Sequence, residues 1–93
     1  MPRYVIERNF PSPLEIPVTA EGATAMAAIV DRNLEFGVTW VHSYVDTDRT
    51  RTVCVYDGPS PEAIRQAARA NELPVDAIRE VRVLDPYFFT GGA

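Results

Sequence analysis

The 93-residue chain is 46% hydrophobic and 24% charged, an ordinary globular balance that excludes a disordered chain. Its formal net charge of −4 offers no basic stripe for a nucleic-acid backbone, and no basic amphipathic segment points to a membrane surface. A single cysteine excludes an intrachain disulfide and fits a reducing cytoplasm, while the charges within MPRYVIERNF leave neither a secretory leader nor a spanning helix to expect.

A chain of this length is expected to form one domain over residues 1–93, burying roughly two-thirds of its unfolded surface. Arg3 to Arg8 reads as a first strand, with Tyr4 and Ile6 alternating against Arg3, Val5 and Glu7. Prolines 11, 13 and 17 then keep the segment after Phe10 from continuing a sheet or starting a helix early. A helix is expected from about Ala20 to Phe36, its stripe formed by Ala23, Met26, Ala27, Val30 and Leu34 and its left-handed stop by Gly37. Ile29 and Phe36 lie off that stripe and form a second apolar flank.

A hairpin follows. With its tip at Thr47-Asp48-Arg49, Trp40 faces Tyr56, His42 faces Cys54 and Tyr44 faces Thr52, while Val41 meets Val55 and Ser43 meets Val53. A second helix begins with Ser60 as N-cap, Pro61 in the first helical position and Glu62 in the first turn. Its buried stripe is Ile64, Ala67 and Ala68, extended by Asn71, and Leu73-Pro74 ends it. A last strand is expected over Glu80 to Leu84, with Val81 and Val83 on one face and Arg82 on the other. The order strand, helix, strand, strand, helix, strand predicts an α+β, ferredoxin-like βαββαβ fold: a four-stranded antiparallel sheet, spatial order four, one, three, two, with both helices on one face. The tail after Pro86, YFFTGGA (87–93), carries three consecutive aromatics and is expected to dock as a cover.

On this reading the helices cover Tyr4, Ile6, Val41, Val45, Val53, Val55, Val81 and Val83. The open face then displays Val5, Glu7, Trp40, His42, Tyr44, Thr52, Cys54, Tyr56, Arg82 and Leu84. That much aromatic area calls for a cover, and a second copy of the chain about a two-fold axis is the expected one, joined by the Ile29 and Phe36 flank of the first helix.

The stretches YVIERN, WVHSYV followed by VCVYDGPSPEAIRQAARANELP, and IREVRVLDP resemble a domain-of-unknown-function family. Its members are small, mostly bacterial ferredoxin-like proteins, among them actinobacterial nickel-binding ones. The likeness spans nearly the whole chain, excepting the proline-rich segment and the tail. It implies that Glu7, Trp40, Ser43, Tyr44, Cys54 and Tyr56 fill family motif positions, and it brings in nickel. Nickel-associated members carry a histidine in the second helix where this chain has Ala67, a departure that removes one imidazole from the expected ligands.

The residues themselves leave alternatives open. Glu7, mid-strand, is either paired with Arg82 on the neighbouring strand or a metal ligand or general base. His42 is a ligand or proton carrier, or an interface side chain stacked between Trp40 and Tyr44. Cys54 is a thiolate ligand or a small, half-buried apolar residue. His42, Glu7 and Cys54 together are acceptable ligands for a divalent ion such as nickel or zinc, in an open or dimer-bridging site. Ser43, pointing to the core without a glycine-framed elbow, does not read as a nucleophile, and no glycine-rich phosphate loop is present. The sequence therefore predicts a small homodimeric binding protein for a small ligand or a divalent metal. Its site is Glu7, Trp40, His42, Tyr44, Cys54 and Tyr56 on the open face. A cofactor-independent enzyme of the dimeric α/β-barrel type, with His42 or Glu7 as proton acceptor, is the alternative, and a ligand-free interaction module the third reading.

Overall fold

The computed structural model describes residues 1–15 and 18–86. The expected docking of the tail 87–93 lies outside them. Six elements follow one another: β1 (Arg3–Asn9), α1 (Ala20–Glu35), β2 (Thr39–Val45), β3 (Arg51–Asp57), α2 (Pro61–Ala70) and β4 (Ala77–Val81). The strands form one antiparallel sheet in the order β2-β3-β1-β4, and the fold is the ferredoxin-like α+β arrangement expected.

Both helix ends read from the sequence are present. Ser60 Oγ accepts from the Ala63 amide at 3.2 Å, satisfying a first-turn donor that has no intrahelical partner, and Pro61 sits where its missing N–H costs nothing. Gly37 adopts φ 69°, which turns the chain so that the Val38 amide reaches the Asn33 carbonyl at 3.0 Å. The small stripe of α2, Ala63, Ala67 and Ala68 around Ile64, is buried against the sheet. Gly58 lets that approach happen: a Cβ there would stand 3.2 Å from Ile64 Cγ1.

Three placements differ from expectation. The inward line of α1 is Gly22 and Asn33, both buried, with Met26 and Ile29 half-buried between them and Phe36 half-buried just past the helix end, while Val30 and Leu34 are 44% and 63% exposed. The true stripe is disguised because it contains a glycine and an asparagine. Asn33 belongs inside because its carbonyl receives the Phe36 and Val38 amides and its Oδ1 accepts from Asn71 Nδ2 at 3.0 Å. Arg32 Nε donates to Asn71 Oδ1 at 2.6 Å, so Asn71 ties α2 to α1. The Ile29 and Phe36 flank expected at a dimer contact is thus turned inward, with Phe36 packed on the core.

The last strand lies three residues earlier than expected. Asp76 fixes its start: its amide donates to the Glu7 carbonyl at 2.9 Å, and its carboxylate accepts from the Asn9 amide at 2.6 Å. Ile78 thereby pairs with Ile6 and joins the core, whereas Val83 and Leu84 lie beyond the strand and are exposed.

The third difference sets the site. At the start of β2 the expected register holds, Trp40 opposite Tyr56, but His42 then pairs with Val55, Ser43 with Cys54, Tyr44 with Val53 and Val45 with Thr52. Val41 is the extra residue of a β-bulge. The hairpin tip requires it. Asp46 Oδ1 accepts from the Thr50 and Arg51 amides and Arg49 takes φ 61°, which fixes the strand ends one residue out of step with the Trp40–Tyr56 pair. The alternation restarts at the bulge, so Trp40 and His42, two apart in sequence, fall on opposite faces.

Candidate functional site

The six expected site residues fall on both faces of the sheet: the β1–β3 register sets Cys54 and Tyr56 with Ile6 and Tyr4 and leaves Glu7 opposite, and the bulge parts His42 and Tyr44 from Trp40. Tyr4, Ile6 and Arg8 of β1 are buried under the helices, beside Tyr56, Cys54 and Thr52 of β3. Trp40 and Ser43 of β2 share that side. They are three apart, an interval that points to opposite faces in a regular strand, yet Trp40 Nε1 donates to Ser43 Oγ at 2.8 Å because the bulge lies between them. Glu7, His42 and Tyr44 stand on the uncovered face, among Val5, Val53 and Val55.

The pairing expected between His42 and Cys54 is therefore absent: His42 stands opposite Val55, and its ring meets Tyr44 edge to face at 5.1 Å between centroids. Trp40 is on the other side of the sheet. Thr52, Cys54 and Tyr56, expected in the open, are 6%, 5% and 4% exposed, and Val53 and Val55 have taken their place. Glu7 does have an arginine partner, but it is Arg51 of β3 at 3.1 Å rather than Arg82, since β4 ends at Val81. Two ion pairs thus bracket the valines: Glu7–Arg51 towards one end and Arg3–Asp57 at 2.8 Å at the other. The Arg3 guanidinium, by hydrogen bond first and by charge second, holds the Asp57 carboxyl below the usual carboxylate range.

Metal ligation by one protomer does not follow from this arrangement. Among the described residues no group of three or more His, Cys, Asp or Glu side chains is placed to hold an ion. Cys54 is a buried free thiol on the covered face, donating to Thr52 Oγ1 at 3.6 Å. His42 and Glu7 share a face but lie on strands separated by β3, about 10 Å apart at the usual strand spacing.

The covered face holds a cavity of about 330 Å³, between the sheet, α1 and the Phe10–Leu14 segment. Its walls are Met26, Ile29, Trp40, Val45, Leu14 and Leu73, with Cys54, Thr52 and Tyr56 on the sheet side. Met26 and Ile29 of α1 are slim cover for a sheet layer, and the space lies between them and the β2 and β3 side chains. Neither His42 nor Glu7 lines it, so the proton acceptors of the enzyme reading face away from this space.

Arg8 is the residue that sequence reading missed. It is 2% exposed, its Nη1 donates to the Pro74 carbonyl at 2.6 Å, and its guanidinium lies 5.8 Å from the centre of the Tyr56 ring. Its Nε–H is buried without a partner, at a cost of about 1–3 kcal/mol, and no carboxylate among the described residues pairs with it. Burial pushes the Tyr56 phenol above its ordinary value, and the Arg8 charge acts in the opposite direction. One signal was available: the alternation of Tyr4 and Ile6, carried one step further, places Arg8 on the covered face. Asn33 Nδ2 is also buried and unpaired, but it lies at the contact between helices and not in the cavity.

A family model described as "Nickel responsive protein SCO4226-like" matches residues 4–81. Among solved structures, the chain is similar to the crystal structure of SCO4226 from Streptomyces coelicolor A3(2), with a TM-score of 0.70 and 18% sequence identity, over 89% of this chain and 99% of that one. At that identity the likeness carries the fold. No curated protein matches the chain.

Proposed function

The chain belongs to the SCO4226-like family, described as nickel-responsive proteins, and from that premise we propose that it is a one-domain, homodimeric protein that binds a divalent ion, nickel in the first instance, through the uncovered face of its sheet. The observation that carries this reading is the position of His42. The chain has one imidazole, and it stands exposed on the face that no helix covers, beside Tyr44, which is 66% exposed. Imidazole is a strong donor to first-row divalent ions in its neutral form. Among the described residues one protomer gathers no group of three such donors, so the site is built with a second copy, and a two-fold axis across this face supplies a second His42 and a second Glu7. The row Val5, Val55 and Val53 gives such a contact an apolar centre, and the two ion pairs give it a polar rim. Cys54, on the other face, is left out of the ligand set; as a buried free thiol it suits a reducing cytoplasm. Among the described residues no helix is long and apolar enough to cross a membrane.

Nickel titration calorimetry, paired with sedimentation at micromolar protein, tests the reading. A dimer is expected, with ion binding that His42→Ala removes. Equal nickel binding by the native protein and His42→Ala takes His42 out of the site, and a monomer in the presence of nickel overturns the dimeric site altogether.

A further inference from the structure

The cavity on the covered face is chemically unlike the rest of the molecule. The protein carries a net charge of −4, yet the cavity lining includes two arginines, Arg8 and Arg49, and no aspartate or glutamate. Arg8 is inside, almost wholly withdrawn from solvent and without a counter-charge, whereas Arg49 at the hairpin tip is exposed. A buried guanidinium is ordinarily paired, because its desolvation is otherwise uncompensated.

The hydroxyls of the wall are set to donate. Ser43 Oγ already accepts from Trp40 Nε1, and Thr52 Oγ1 already accepts from Cys54 Sγ, so each retains its own O–H for a further acceptor. The remainder of the wall is aromatic and aliphatic. At about 330 Å³ the space lies at the small end of pockets that take organic ligands, which run from roughly 300 to 1,000 Å³.

We infer that this cavity is a binding site for a small apolar monocarboxylate, its carboxylate seated on Arg8 and the Ser43 and Thr52 hydroxyls and its aromatic or branched body against Trp40, Met26 and Ile29. A guanidinium with free donors binds a carboxylate by charge-assisted hydrogen bonds, and the ligand supplies the missing counter-charge. An inorganic anion satisfies Arg8 but leaves the apolar walls without an occupant. This site lies on the opposite side of the sheet from His42, and it stands or falls independently of the metal-binding reading.

Trp40, the only tryptophan, lines the cavity and reports on it. Its fluorescence is followed in metal-free buffer with chelator during titration with phenylacetate, 4-methylpentanoate, neutral phenylacetamide and inorganic phosphate. At least one carboxylate saturates the signal, the amide binds at least about tenfold more weakly, and phosphate gives no saturable change. Arg8→Gln erases the preference for acid over amide, while Arg49→Gln retains it. Saturation by neither carboxylate, equal binding of phenylacetate and its amide, or phosphate competing as well as either acid overturns the assignment. Should Arg8→Gln fail to fold, the acid–amide comparison on the native protein decides alone.

Discussion

On one face of the sheet Tyr4, Ile6 and Arg8 stand beside Tyr56, Cys54 and Thr52; on the other, Val5 and Val55 sit between the ion pairs Arg3–Asp57 and Glu7–Arg51. Its β-branched residues make the second face look like the core, yet four charges share it with the valines. What puts the first inside is reach. Large side chains span the gap from sheet to helix where a valine falls short, and α2 closes the rest with alanines and a neighbouring glycine. Where α1 supplies only Met26 and Ile29, the gap stays open as the cavity. The binding space is therefore a consequence of how unequally two helices cover one face, and the valine face is left for a partner.

The largest effect that separates the faces comes from neighbours on one strand. Ile6→Ala empties a fully buried position and is expected to cost about 2–5 kcal/mol in urea unfolding. Val5→Ala, one residue away on the other face, is expected to cost less than about 1 kcal/mol in a monomer. If the Val5→Ala loss rises with protein concentration, the valine face is an interface. If it equals the Ile6→Ala loss at every concentration, the two faces are not distinguished as described.

A second substitution asks whether Arg8 is held for structure or for binding. Arg8→Met keeps the length of the side chain, removes an unpaired buried charge and gives up one hydrogen bond to Pro74. Replacing buried charge with apolar volume is often neutral or stabilising, so the midpoint of unfolding should stay level or rise, by about 1 kcal/mol. A fall of several degrees in Tm would make Arg8 a tie between β1 and the segment after α2. In the same range but opposite in sign, Ser60→Ala should cost about 1 kcal/mol, because the cap of α2 holds the better-covered half of the same face.

Much of this was legible in the chain. Ser60-Pro61-Glu62 marked a helix start, Gly37 a stop, and the element order and strand order of the sheet followed from alternation and short connections. The bulge was not legible. No glycine marks Val41, and its cause, the clash between a tip fixed by Asp46 and a register fixed by Trp40 and Tyr56, exists only once both ends are folded. That single residue parted Trp40 from His42 and Tyr44; the register of β3 on β1, which sets Cys54 beside Ile6 and Val53 beside Glu7, took Cys54 and Tyr56 away from Glu7, and together the two dissolved the expected site. Asn33 and Arg8 were hidden for a different reason: polar side chains at buried positions read as surface until their partners are known, Asn71 for one and Pro74 for the other. Val83 misled in the reverse sense, as a β-branched residue that lies past the strand, and Val81, the last residue of β4, pairs with Arg3 on the uncovered face.

The smallest effects lie at the two ends of the pH scale, and each belongs to one face. On the open face Asp57 is held below its ordinary pKa, 3.8, by Arg3. In acid the unfolded chain takes up that proton first, so the stability from the pair is complete above the ordinary value and is lost as pH falls through the lowered one. The pair is partly exposed, so the step should be shallow and should flatten in salt. On the covered face burial raises the Tyr56 phenol above its ordinary 10.0. Here the unfolded chain loses the proton first, so stability is complete below the ordinary value and is lost as pH rises through the raised one. Thermal melts across the acid and alkaline ranges, with Asp57→Asn and Tyr56→Phe, separate the two. Asp57→Asn should remove only part of the acid loss, and Tyr56→Phe only part of the alkaline loss, with no salt dependence comparable to that of the surface pair. If Asp57→Asn leaves the acid limb unchanged, the Arg3 pair contributes nothing measurable, and the open face relies on its valines and whatever meets them.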